Sequence, residues 1–169
     1  MTLIILGAGG YGRTIADVAE QIGKYQKIAF LDDKAEGNTI IGIIADFSNY
    51  INQDTEFYLA IGDNKKRLEW IEILANAGAQ ITTIIHPSAY VSPRAKVGVG
   101  SAILPGTIVN TDVIIGIGCI INLGAIIDHE TVLEDGVHIA PGAVVKAMNR
   151  IKRCSKIESG TVIERGQMM

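Results

Sequence analysis

The ionisable residues that could do chemistry gather in one short stretch: Asp128-His129-Glu130, followed nine residues on by His138. An imidazole titrates near neutrality and a neighbouring carboxylate can orient its ring, so His129 has the ingredients of a general base. The competing reading is a solvated histidine on a turn. His86, immediately before Pro87, reads as structural. No Ser/His/Asp nucleophile set or metal-binding cluster is visible, which argues against a covalent enzyme intermediate and against a zinc site. Cys119 and Cys154 lack any CxxC spacing and read as reduced packing residues in a cytoplasmic protein.

These residues must be carried by whatever the surrounding repeat folds into. Every sixth residue from Ile85 is aliphatic: Val91, Val97, Ile103, Val109, Ile115, Ile121, Ile127, Leu133, Ile139, Val145, Ile151, Ile157 and Ile163. Four residues after most of them stands a small side chain, such as Ala89, Ser101, Thr107, Cys119, Ala125, Thr131 and Ala143, often just after a glycine. A period of six fits neither a helix nor a simple strand. It fits a β-helix, in which each hexad supplies one short strand and one turn, with the aliphatic residue filling a prism. In that register His129, two residues past Ile127, falls on a turn and points outward.

The first eighty residues have a different pattern. Leu3 to Leu6 reads as a strand, followed by Gly7-Ala8-Gly9-Gly10-Tyr11-Gly12, a GxGxxG pattern ahead of a helix bearing Ile15, Val18, Ala19 and Ile22 on one face. Further strands are expected at Lys27 to Leu31, ending in Asp32-Asp33; at Phe57 to Ile61, ending in Gly62-Asp63; and at Ile81 to Ile85. A helix is expected from Lys65 to Ala77. Alternating strands and helices imply a small parallel sheet whose strand ends bring Gly10, Asp32, Asp33, Gly62 and Asp63 to one edge. Dinucleotide binding is the obvious reading, with Asp32 as the ribose-binding acid. Only about four strands fit before the repeat, however, so one nucleotide or nucleotide-sugar suits the half-size domain better than NAD(P), and a plain scaffold stays open.

Composition narrows the classes. The chain has 169 residues, 48% hydrophobic and 20% charged, with a formal net charge of −3. That indicates a folded protein and argues against a general nucleic-acid binder. The N-terminus meets glycine after a few apolar residues, so neither a signal peptide nor membrane insertion is expected. Lys146, Arg150, Lys152, Arg153 and Lys156 crowd the tail; they read either as a solvated corner or as attraction for the phosphates of a cofactor such as coenzyme A.

Together, GAGGYG at Gly7–Gly12, FLDD at Phe30–Asp33, AIGDNKKR at Ala60–Arg67, IIHPSAYVSP at Ile84–Pro93 and IIDHETVLEDGVHIAPGA at Ile126–Ala143 resemble the bacterial hexapeptide-repeat sugar acetyltransferases, NeuD-like and PglD-like. The resemblance implies an α/β Rossmann-like half-domain over residues 1–83 and an all-β, left-handed parallel β-helix over 84–169. It implies a cytoplasmic homotrimer that moves an acetyl group from acetyl-CoA, as co-substrate, to the amine of a nucleotide-linked amino sugar for surface-glycan synthesis. In that family's terms His129 matches the general base and Glu130 its orienting acid. His138 and Ala147 match positions at acetyl-CoA or the acceptor, and a backbone N–H one coil on from the base stabilises the oxyanion. Gly10, Tyr11, Asp32, Asp33, Gly62 and Asp63 match residues holding the nucleotide-sugar. Tyr11 stands where some members have histidine. Lys146, Ala147, Lys152 and Glu158 stand where small residues are usual, and the family usually adds coils beyond the position of Met169. The alternatives are therefore O-acetylation of a sialic-acid-like sugar, or a shortened, catalytically impaired trimer that binds only the sugar nucleotide.

Overall fold

The computed structural model describes residues 1–169. The chain forms two compact units, Met1–Thr82 and Thr83–Met169.

The first unit is a five-stranded, all-parallel sheet. Its strands are β1 (Thr2–Leu6), β2 (Lys27–Leu31), β3 (Ile40–Gly42), β4 (Thr55–Leu59) and β5 (Gln80–Ile81), in the order β3-β2-β1-β4-β5. Leu3, Ile4, Ile5, Leu6, Leu31, Phe57, Tyr58 and Leu59 are essentially inaccessible, as expected of central parallel strands. Helices α1 (Gly10–Ile22) and α2 (Asn64–Asn76) supply the crossovers. Helix α1 buries Gly12, Ile15, Val18 and Ala19, while Ile22 is only partly covered. It ends at Gly23 with φ 70°, a left-handed C-cap that satisfies its last carbonyls.

Two expectations change here. The single strand expected over Ile81 to Ile85 is two: Gln80–Ile81 closes this sheet, whereas Ile84–Ile85 opens the second unit. Backbone bonding divides them, since Thr82 N–H donates to Phe57 O and Ile84 N–H to Ser101 O. Strand β3 and the 3₁₀ turn Ile44–Tyr50 were not foreseen, because Ile40–Ile44 is a short apolar run without decisive periodicity.

The second unit is a left-handed β-helix whose two-residue strands stack in three sheets. The first face comprises Tyr90–Val91, Ile108–Val109, Ile126–Ile127, Val144–Val145 and Val162–Ile163. The second comprises Lys96–Val97, Ile114–Ile115, Val132–Leu133 and Arg150–Ile151. The third comprises Ile84–Ile85, Ala102–Ile103, Ile120–Ile121, His138–Ile139 and Lys156–Ile157. Each strand pairs in parallel with the one 18 residues away, so successive coils lie about 4.8 Å apart. From Ile103 to Ile163 every sixth aliphatic residue joins one continuous core. Burying each contributes about 1.5–3 kcal/mol. Ile85 is an exception: it keeps the register, paired with Ile103, yet is 39% exposed in the first coil.

Small polar residues enter this apolar interior because the backbone satisfies them. Ser101 Oγ donates to Gly116 O (2.9 Å), Thr107 Oγ1 to Asn122 O (3.1 Å) and Thr131 Oγ1 to Lys146 O (3.2 Å). Asn149 takes the small-residue place one coil after Thr131, with its amide donating to Lys146 O and Glu164 O. Glycine occupies most left-handed turn positions, but Asp112, Glu130 and Met148 hold φ of 57°, 57° and 61° at one corner in three consecutive coils.

Candidate active site

That corner, between the first and second faces, carries His129. The turn is fixed from both sides. Asp128 Oδ1 accepts the N–H of His129 (2.7 Å) and the side-chain amide of Asn110 one coil back (2.9 Å). The His129 N–H bond, first among the causes, holds the Asp128 carboxyl below its ordinary range, with Asn110 adding to it. Asp128 is thereby a turn-fixing group.

Glu130 brings a carboxylate against the His129 ring. Its left-handed backbone turns the side chain back over its neighbour, so that Oε2 lies 2.9 Å from His129 Nδ1. A carboxylate only accepts, so Nδ1 carries the ring proton and Nε2 presents its lone pair outward. Both side chains remain solvent-accessible, His129 by 38% and Glu130 by 51%. A non-glycine residue at positive φ costs of order 1 kcal/mol or more, and such strain clusters at functional sites.

One coil further along the corner lies Ala147. At the equivalent place in the two preceding coils the turn N–H is taken by the side chain before it: Asn110 Oδ1 receives Thr111 N–H and Asp128 Oδ1 receives His129 N–H. Before Ala147 stands Lys146, which has no acceptor and whose ammonium is paired with Glu164 (2.6 Å). The Ala147 N–H consequently donates to no group of the chain, while its carbonyl accepts Gly166 N–H. An imidazole and an available backbone donor stand one coil apart on one edge, a combination that could serve acyl transfer.

His138 is not brought to this corner. It projects from the third face, the wall opposite, where Asn122 Nδ2 approaches its Nε2 at 3.3 Å. His86 is 7% exposed, with Nδ1 accepting Ser88 N–H (3.0 Å), as a structural turn histidine should.

In the first unit the ends of β1, β2 and β4 lie side by side. Gly7 N–H donates to Leu31 O and Ala60 N–H to Leu6 O. Gly7 adopts φ 103°, and a Cβ on Gly12 would lie 2.0 Å from Gly7 O, so the glycine turn allows helix and loop to touch. Helix α1 opens at Gly9 with no side-chain cap. Asp32 bonds Ala8 N–H (2.7 Å), Lys34 N–H and Ala35 N–H (2.8 Å each); the Ala8 bond above all lowers its pKa. Asp63 caps α2 through Lys66 N–H. Tyr11 donates to or accepts from Tyr58 (O···O 2.6 Å), and burial pushes its hydroxyl well up.

A 550 Å³ hollow lies at the end of β2, lined by Asp32, Asp33, Lys34, Gly42, Ile43 and Asp46 among others. Its acidic lining suits hydroxyl and N–H donors better than phosphate. Gly10, Tyr11, Gly62 and Asp63 fall outside that lining, so the expected set divides in two. No group of three or more His, Cys, Asp or Glu is arranged to hold a metal, and no helix is long and apolar enough to cross a membrane.

Residues 2–74 match the family profile described as the PglD N-terminal domain. A UDP-N-acetylbacillosamine N-acetyltransferase from Bacillus subtilis (strain 168) is 31% identical over 110 residues, 59% of this chain; the match spans half the length of that curated relative. The acetyltransferase domain of PglB from Neisseria gonorrhoeae FA1090 superposes with a TM-score of 0.96 at 32% identity, over 99% of this chain and 84% of that one. It has also been solved in complex with acetyl coenzyme A. A perosamine N-acetyltransferase from Caulobacter crescentus, 23% identical, shares the fold (TM-score 0.73, 99% of this chain and 90% of that one). On the match to the gonococcal domain, which extends over nearly the whole of this sequence, the chain belongs to the PglD-like sugar acetyltransferases.

Proposed function

We propose that this protein transfers the acetyl group of acetyl-CoA to the amine of a nucleotide-linked amino sugar. The observation that carries the reading is the corner where the His129–Glu130 pair stands one coil from the open Ala147 N–H. The acceptor amine attacks the thioester carbonyl as His129 Nε2 takes its proton. Glu130 stabilises the imidazolium that forms. Negative charge on the carbonyl oxygen is met by Ala147 N–H. Collapse breaks the C–S bond, and the departing thiolate recovers the proton from His129, so no acyl-enzyme is formed. Nitrogen as acceptor is supported by the relatives, which are named as N-acetyltransferases.

A nucleotide is held by the first unit taken by itself. Its diphosphate meets the uncapped start of α1 around Gly10 and Tyr11, with Gly62 and Asp63 alongside, while Asp32 and Asp33 face the ribose and base.

The working assembly is a homotrimer. Tyr90, Ile108, Ile126, Val144 and Val162 form an apolar column down the first face, with Tyr90 56%, Ile108 41% and Val162 51% exposed. A second copy would cover such a column. Threefold packing would also bring His138 of one prism toward the His129 corner of its neighbour, uniting residues that one chain holds on opposite sides. Two free cysteines suit the cytoplasm, where acetyl-CoA is made.

The test is steady-state transfer from acetyl-CoA to UDP- and GDP-linked amino sugars, with thiol release as readout. Thiol release that needs an amino-sugar acceptor supports the reading. Turnover with none of them, in a protein that binds acetyl-CoA, would remove it.

A further inference from the structure

We infer that Arg165 binds the phosphates of the acetyl donor; the inference rests on the acetyltransferase reading above. Arg165 lies on the same corner as His129 and Ala147, two coils beyond His129, so its backbone is about 10 Å further along the prism. This order sets a direction. The thioester carbonyl must lie over Ala147 N–H, with the attacking amine on the His129 side. The donor's remaining length therefore runs toward Arg165.

The charge at Arg165 is also uncommitted. Three other cations of these coils are paired: Lys146 with Glu164 (2.6 Å), Arg150 with Glu134 (2.8 Å) and Lys156 with Glu158 (3.0 Å). Arg94, on the same corner but before His129, is paired with Asp112 (2.9 Å). Arg165 instead rests on the thioether of Met148 (Nη2···Sδ 3.1 Å). Sulfur is a weak acceptor that a guanidinium gives up readily for phosphate, to which it can bind bidentately. Its side chain is exposed, so the guanidinium is open to a donor lying along this edge. Lys152 and Arg153 also lie outside the ion pairs, but they sit on the next corner, between the second and third faces, away from the line through His129 and Ala147.

The experiment compares wild type, Arg165→Gln and Arg165→Lys with acetyl-CoA, acetyl-dephospho-CoA and acetyl-pantetheine, the last of which carries no phosphate. Loss of a charged hydrogen bond predicts a fall in kcat/KM for acetyl-CoA of about ten- to a hundredfold in Arg165→Gln. Arg165→Lys should restore part of it, and kcat/KM for acetyl-pantetheine should not move. An equal loss with acetyl-dephospho-CoA assigns Arg165 to the diphosphate, and a loss confined to acetyl-CoA assigns it to the 3′-phosphate. An unchanged kcat/KM for acetyl-CoA, an equal loss with acetyl-pantetheine, or a rise confined to KM for the sugar nucleotide would overturn the inference. Calorimetric binding of CoA and of pantetheine to the same variants gives the same comparison without turnover. A protein that binds CoA through Arg165 but acetylates no amino sugar would leave this inference standing and sink the proposed acceptor.

Discussion

Nδ1 of His129 and Oε2 of Glu130 stand 2.9 Å apart although the residues are adjacent in sequence, because Glu130 holds a left-handed backbone with φ 57°. In an extended strand, neighbouring side chains point to opposite faces and could not meet this way. The turn brings an imidazole and a carboxylate that are sequence neighbours into contact.

Removing the base tests the chemistry directly. His129→Ala should lower kcat for acetyl transfer by about 10²–10⁴-fold. Because the side chain lies on an exposed turn outside the aliphatic core, the far-UV circular dichroism spectrum should be unchanged and the unfolding free energy should stay within about 0.5 kcal/mol of wild type. Unchanged turnover would exclude His129 from the mechanism.

Glu130→Gly separates stability from activity. Glycine relieves the positive-φ strain but loosens the unfolded chain, so stability should be unchanged or higher by up to about 1 kcal/mol. With no carboxylate on Nδ1, kcat should fall by at least about tenfold. Thermal melts and rates on one preparation decide it; a clear loss of stability would mean that Glu130 holds the coil together.

Asp32 should report through pH. Its folded pKa is lowered below the ordinary 3.8, chiefly by the Ala8 N–H bond, so its contribution to stability is present above about pH 4 and lost as pH falls through the folded value. Asp32→Ala should destabilise the first unit by roughly 1.5–3 kcal/mol at neutral pH. The gap from wild type should narrow as the pH is lowered below 4. Urea melts of the two proteins at neutral and acidic pH measure this, and a gap that stays constant would contradict it.

The apolar column of the first face gives an assembly prediction. Ile108→Glu puts a charge on a side chain that is 41% exposed in the single chain, so the chain should still fold. Burying that charge against a second copy is costly. Light scattering should find the wild type at three times the chain mass and the variant at one, with transfer lost if His138 acts across the interface. A wild type of single-chain mass removes the trimer.

Gly12→Ala probes the glycine turn. Its Cβ would fall 2.0 Å from Gly7 O, backbone that cannot yield cheaply, so the first unit should lose several kcal/mol. At Gly62 a Cβ meets nothing within 4 Å, and Gly62→Ala should fold normally, so any loss of nucleotide binding there speaks for a direct contact.

The repeat, the strand-turn-helix around Gly7–Gly12 and the place of His129 on an outward turn were legible in the amino-acid string, because hexad periodicity and local turn chemistry are properties of near neighbours. The short β3 and the break at Thr82–Thr83 were not, since two- and three-residue strands are defined by their hydrogen-bonding partners. Only the three-dimensional stacking decided which groups meet. It aligned residues 18 apart, setting Ala147 and Arg165 beyond His129 on one edge, and it turned His138 to the opposite wall. The same stacking left one backbone N–H open where Lys146 could not accept it. Such relations depend on the pitch of a closed coil, which no run of adjacent residues contains.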